Sequence, residues 1–251
     1  MTQQSASIGD EYIENLSETL NEPSWLRQFR LKAFRTYQTL PEEQSNLYTK
    51  YGLDLGADTE TLRRKMDSTP NTSALPISEI ASGMESGHYY VSTQSETIAS
   101  KNIRDLESKG VIFCDLHEAL EKHEKILKLL FQDKAIKPEE DKFAALNSAL
   151  FTVAWLAYLP KNLSLESPLR LRFYLNSIKP HFSQVWIYAE QGSEVTLLTE
   201  EYGAEVPGTV SDVVEAYIKD DASVHFSSIQ NYSQETTVLT NKKALCEKDS
   251  R

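Results

Sequence analysis

Cysteine is scarce in this chain: two residues in 251, Cys114 and Cys246, and no Cys-x-x-Cys pair. That excludes a disulfide framework and any self-contained zinc or cluster site, each of which needs several thiols at short spacing. Glycine is also sparse, at nine residues, and neither Gly-x-Gly-x-x-Gly nor the P-loop pattern occurs. The sequence therefore offers no loop that could cradle a phosphate, and no nucleophile elbow is present. Positive charge is in deficit, with 26 Lys and Arg against 37 Asp and Glu and a net charge of −11. Such a surface repels nucleic-acid phosphates and anionic lipid, so neither nucleic acid nor membrane is expected as a partner. The longest nearly unbroken apolar run, Phe143 to Leu159, is 17 residues long and carries Asn147, Ser148 and Thr152. It is too short and too polar to span a bilayer. The opening Met1-Thr-Gln-Gln-Ser-Ala-Ser has neither the basic nor the apolar part of a secretory signal. Cytoplasmic residence is the expectation.

Within these bounds the chain divides by hydrophobic period. Tyr12, Ile13, Leu16 and Leu20 suggest a short amphipathic helix. After the turn Asn21-Glu-Pro-Ser24, Trp25, Phe29, Ala33 and Tyr37 recur every four residues, with Arg27, Arg30 and Arg35 read as a solvated basic face. Residues 1–55 are thus a helical region. Residues 56–80, rich in Thr, Ser, Asp, Asn and Pro, have linker or loop composition. Residues 81–150 read as a small α/β region. His88-Tyr-Tyr-Val91 and Val111-Ile-Phe113 are short strands, and Asp115-Leu-His-Glu118 has capping-box form ahead of a helix carrying Leu116, Leu120, Leu127 and Leu130.

The period changes near residue 151. Phe143, Leu146 and Leu150 lie three and four apart on one helical face, whereas from Val153 a short apolar run ended by Pro160 reads as a buried strand. The pattern stays β beyond it. Gly192-Ser-Glu-Val195, Asp221-Ala-Ser-Val224 and Asp249-Ser250-Arg251 are each a turn leading into a strand, 28 to 29 residues apart. A fixed period of that size is produced by a stacked solenoid; an antiparallel sandwich is the alternative left open by periodicity alone.

Candidate chemistry is thin. His117-Glu118 and His123 do not match a zinc-protease helix, because a spacing of six puts the imidazoles about 240° apart around a helix. Cys114, at the end of a strand, reads as a buried small hydrophobe. Cys246 lies among Lys242, Lys243 and Lys248, and nearby cations favour thiolate.

Four segments, in order along the chain, resemble the SufB/SufD family of iron–sulfur cluster assembly scaffolds. They are Glu22-Pro-Ser-Trp25 with Phe29-Arg-Leu-Lys-Ala-Phe34, Gly110-Val-Ile-Phe113 with Leu116-His-Glu-Ala-Leu120, the stretch Lys142–Lys161, and Val213-Val-Glu215 through Gln230-Asn231 to Lys243-Ala-Leu-Cys246. The resemblance implies a mixed fold: a helix-rich N-terminal α/β region, then a right-handed parallel β-helix, incomplete here, over residues 151–251. It implies a non-enzymatic scaffold subunit that works with a SufC-type ABC ATPase and a second SufB/SufD subunit. The iron–sulfur cluster would be transient in the full complex, and no cofactor or metal would be bound by this segment alone. Cys246 becomes the candidate sulfur acceptor by that resemblance. Thr199-Glu-Glu-Tyr-Gly203 looks SufD-like, while Ala244-Leu-Cys246 resembles the SufB form, and the resemblance leans to SufD. Family members usually continue well past this point, so a fragment or a truncated relative is expected. The competing readings are a β-solenoid carbohydrate-active enzyme and a truncated interaction domain without activity.

Overall fold

The structure is a computed structural model describing residues 7–41, 59–67, 87–93, 97–175, 177, 179–203 and 208–251. Helix α1 (Asp10–Thr19) buries Ile13 and is followed, after the positive-φ residue Asn21, by α2 (Ser24–Thr39), which starts directly after Pro23. A helix α3 (Thr59–Asp67) lies inside the stretch read as a linker. Its apolar signal is only Leu62 and Met66, too little to outweigh the surrounding Ser, Thr and Pro. Leu62 is nevertheless buried, and Tyr12 donates to Met66 Sδ at 3.2 Å. The remainder of the 56–80 stretch lies outside the described residues.

Strands β1 (His88–Thr93) and β2 (Thr97–Lys101) form an antiparallel pair. Then come α4 (Ile103–Glu107), β3 (Ile112–Asp115), α5 (Leu116–Lys122), α6 (Glu124–Gln132) and α7 (Lys142–Leu150). Asp115 caps α5, accepting from Glu118 N at 3.0 Å, and Asp141 caps α7, accepting from Ala144 N at 2.7 Å. These caps satisfy amides that a helix cannot satisfy itself.

From Val153 on, every described element is a strand: β4 (Val153–Leu159), β5 (Leu169–Leu175), β6 (His181–Ala189), β7 (Glu194–Gly203), β8 (Gly208–Ile218), β9 (Ser223–Asn231) and β10 (Thr236–Cys246). They alternate between two sheets, ordered β2-β1-β5-β7-β9 and β10-β8-β6-β4-β3. All pairings within β4–β10 are parallel. This is a β-solenoid, and hairpin pairing between these strands, the sandwich alternative, is absent among them. The registers advance by 28 to 30 residues, as in Leu169↔Leu197, His181↔Val210 and Val153↔Ser183.

The repeat is set at one corner. Asn162, Gly192, Asp221 and Asp249 all have positive φ, between 56° and 68°. They stack one per turn, with Asn162 N donating to Gln191 O, Gly192 N to Asp220 O and Asp221 N to Lys248 O. Gly, Asn and Asp are the residue types that tolerate this conformation.

Two cores result. Inside the solenoid lie Leu159, Leu169, Val185, Ile187, Val195, Leu197, Val214 and Ile218, with Val224 and Phe226 half-buried against them. The second core sits between the helices and the outer face of the β6-containing sheet, and holds Leu26, Phe34, Leu127, Leu150, Phe151, Leu156 and Trp186. Strand β6 is buried at all nine positions because both of its faces are covered. The N-terminal region is also tied into the solenoid by its strands: β1 extends one solenoid sheet and β3 the other.

Arg30 departs from the sequence reading. It is 0% exposed, donates twice to Glu22 (Nε at 2.7 Å, Nη2 at 2.5 Å) and once to Ala149 O, and lies over the Phe151 ring. The buried face of α2 is Leu26, Arg30, Ala33, Phe34 and Tyr37, rotated from the Trp25 stripe.

Candidate functional site

Strand alternation decides where Cys246 points. Leu159, Ala189, Ile218 and Cys246 occupy one register row across β4, β6, β8 and β10. Leu159, Ala189 and Ile218 are buried in the solenoid interior, so Cys246 faces inward. It is nonetheless exposed, because β10 ends the sheet among the described residues and no strand covers it. The next residues form the last stacked corner: Glu247 N donates to Ile218 O, and Lys219 Nζ pairs with Glu247 at 2.5 Å.

The lysines grouped around Cys246 in sequence are dispersed in space. Lys242 Nζ sits 5.0 Å from the Phe226 ring centroid, Lys243 pairs with Glu140 at 2.8 Å, and Lys248 lies 3.9 Å from Asp249. Cys114, by contrast, is buried in the helix-facing core, and burial, then the negative charges of Glu118 and Asp115, push its thiol well above the usual range. Of the two thiols, only Cys246 is open to a reagent or partner.

The histidines and cysteines do not converge. His117 lies exposed on α5, and His123 ends that helix and begins the next. Among the described residues no group of three or more His, Cys, Asp or Glu is arranged to hold a metal, and no helix is long and apolar enough to cross a membrane. A cleft of about 710 Å³ runs between the start of α7 and β10. Its two acidic residues are both engaged, Asp141 as the α7 cap and Asp212 with Ser183 inside the solenoid. A pair of free carboxylates, as glycoside hydrolysis needs, is not found there.

Two polar assemblies were invisible in the sequence. On the outer face of β8, Glu215 is 0% exposed and accepts from Lys134 Nζ (2.5 Å), Trp186 Nε1 (3.2 Å) and Ile136 N (2.6 Å). Val213-Val-Glu215 was noticeable only as a family-like phrase, with no role attached. Inside the solenoid, the half that follows Leu197 and precedes Val185 turns polar. It contains His181, Ser183, Thr199, Glu201 and Asp212, all buried. Glu201 accepts from Gln230 Nε2 at 2.7 Å and Tyr232 OH at 3.1 Å. His181 stacks on Phe173 at 4.0 Å, and burial pushes its pKa down to about 3, so it stays neutral. Asp212 is in register with Thr240. That places this polar region six residues, roughly 20 Å of extended chain, from Cys246.

Comparison with known proteins gives two family matches in succession. Residues 11–171 match the SufBD protein N-terminal region, and residues 173–251 match the SufBD core domain of the SUF system for FeS cluster assembly. Iron–sulfur cluster assembly SufBD family proteins of Staphylococcus aureus strains MRSA252 and USA300 are each 30% identical over 95% of this chain, and one from Staphylococcus haemolyticus is 29% identical over the same share. The chain spans about half, 54%, of the length of these relatives.

Proposed function

The chain belongs to the SufBD family of iron–sulfur cluster assembly proteins, and from that membership we propose that it serves as a scaffold subunit rather than as an enzyme. The observation that carries the reading is the pair of consecutive family matches over one continuous body. Their seam, between residues 171 and 173, falls inside β5, the strand on which N-terminal β1 is laid. In this reading the chain works in the cytoplasm with a SufC-type ABC ATPase and a second SufB/SufD subunit. The iron–sulfur cluster is its transient cargo. Cys246 is the sulfur acceptor, supported by its being the exposed thiol, at the rim of the solenoid interior.

The test is made in the native host. An affinity tag on the chromosomal copy should recover an ABC-type ATPase and a second SufB/SufD-like chain, and depletion should lower the activity of iron–sulfur enzymes. Cys246→Ser should reproduce part of that loss. Recovery of neither partner together with unchanged iron–sulfur enzyme activity would overturn the scaffold reading, and cleavage of a polysaccharide by the purified chain would replace it. The isolated 251-residue chain should also stay colourless after anaerobic reconstitution with iron and sulfide, since one exposed thiol falls short of the four ligands that clusters take.

A further inference from the structure

Glu201 of β7 and Asp212 of β8 both lie inside the solenoid, only 7% and 6% exposed. Each is held from other strands. Ser183 Oγ of β6 donates to Asp212 Oδ1, while Gln230 of β9 and Tyr232 beyond it donate to Glu201 Oε2. Asp212 Oδ2 is buried and receives no hydrogen bond from a donor among the described residues. The group beside it is the Glu201 carboxyl, within hydrogen-bond reach. Two acceptors can satisfy each other only if one carries a proton.

We propose that Asp212 holds a proton on Oδ2 and donates it to Glu201, making a pH-sensitive latch that ties β7 to β8 and, through Gln230 and Tyr232, to the following turn. The surroundings support a neutral Asp212. Burial first, and the Glu201 charge second, raise its pKa well above the usual carboxylate range. Among the described residues the cation acting on it is Lys242 of β10, which lowers it as the least of the causes and sits on the Phe226 ring. His181 of β6 is neutral, and the Tyr232 hydroxyl, raised chiefly by burial and next by Asp212, stays protonated. Loss of the proton would leave two carboxylates side by side in a low-dielectric interior, a repulsion relieved only when water reaches them.

The sign follows from linkage. A carboxyl whose folded pKa is raised adds stability that is fully present below its unfolded value, about 3.9 for Asp. That stability is lost as pH rises toward the folded value, up to tenfold in the opening equilibrium per pH unit for one proton. Asp212→Asn mimics the protonated acid, because its amide can still donate to Glu201. The experiment measures the unfolding equilibrium of the whole chain from pH 5 to pH 8, wild type against Asp212→Asn. Amide hydrogen exchange at Thr209 to Val213 is followed in parallel, corrected for intrinsic pH dependence. The wild type should open progressively more with pH, and Asp212→Asn should remove about one proton's share of that slope while matching or exceeding wild-type stability at pH 7. An unchanged slope, or a substitution that destabilises equally at every pH, would overturn the latch. Should the variant not fold, carboxyl 13C NMR of the wild type decides. One side-chain carboxyl still protonated at pH 6 supports the proposal, and only ionised carboxyls refute it.

Discussion

Removing the Glu215 carboxylate should unfold the protein more readily than almost any other single change, because of what it leaves behind. Lys134 Nζ, at 2.5 Å from Glu215 Oε2, is buried among Phe29, Phe131 and Trp186, with centroids 4.7 to 5.8 Å away. It also donates to Gln184 Oε1, at 3.4 Å. In Glu215→Leu the ammonium has no counter-ion, and the Ile136 amide and the Trp186 indole N–H lose their acceptor. Breaking a buried pair from one side costs about 3–5 kcal/mol, or roughly two to four powers of ten in the unfolding equilibrium at 1.36 kcal/mol per decade. Glu215→Gln is no gentler in kind. Its amide presents one oxygen to three donors and turns a donor of its own toward them.

The assay is urea unfolding followed by fluorescence. Trp186, one of three tryptophans, lies within the assembly and packs on Phe131 and Phe151. Lys134→Met should cost a similar amount for the opposite reason, a buried carboxylate without its cation. The double variant Lys134→Met/Glu215→Leu should recover most of either loss, because apolar replacements of a buried pair are often near neutral. Single variants within about 1 kcal/mol of wild type, or a double variant as unstable as the sum of the singles, would refute the claim that this ion pair pins the 134–136 segment to the sheet.

Two further outcomes can be checked on the same protein. A thiol reagent applied to the native chain between pH 7 and 9 should modify Cys246 readily and leave Cys114 unmodified until unfolding, since burial and two nearby carboxylates keep the Cys114 thiol protonated; slower reaction at Cys246, read by comparing Cys114→Ser with Cys246→Ser, would remove it as a sulfur acceptor. At the stacked corner, Gly192→Val should cost about 1–2 kcal/mol for its left-handed backbone, whereas Asp221→Gly should change stability little in the same denaturation assay.

The solenoid could be read from the sequence because its corners repeat. Gly192, Asp221 and Asp249 fall at fixed spacing, and each is a residue that accepts positive φ. Inward rows such as Val195–Val224 follow from period-two alternation once the corners are placed. Arg30 could not be read this way. An amphipathic template sends every arginine to solvent, and only the arrival of Glu22, Ala149 and Phe151 from elsewhere makes burial affordable. Glu215, Glu201 and Asp212 share that character. Their partners come from other turns and from the 134–136 segment, so nothing within a few residues announces them. Cys246 shows the limit most plainly. The strand register turns it inward, yet its exposure depends on whether a strand lies over β10, which is a property of the neighbours and not of Lys-Lys-Ala-Leu-Cys. The three lysines that made this cysteine look activated in sequence lie on different sides of the strand and its corner, with a ring, Glu140 and Asp249 as their separate partners.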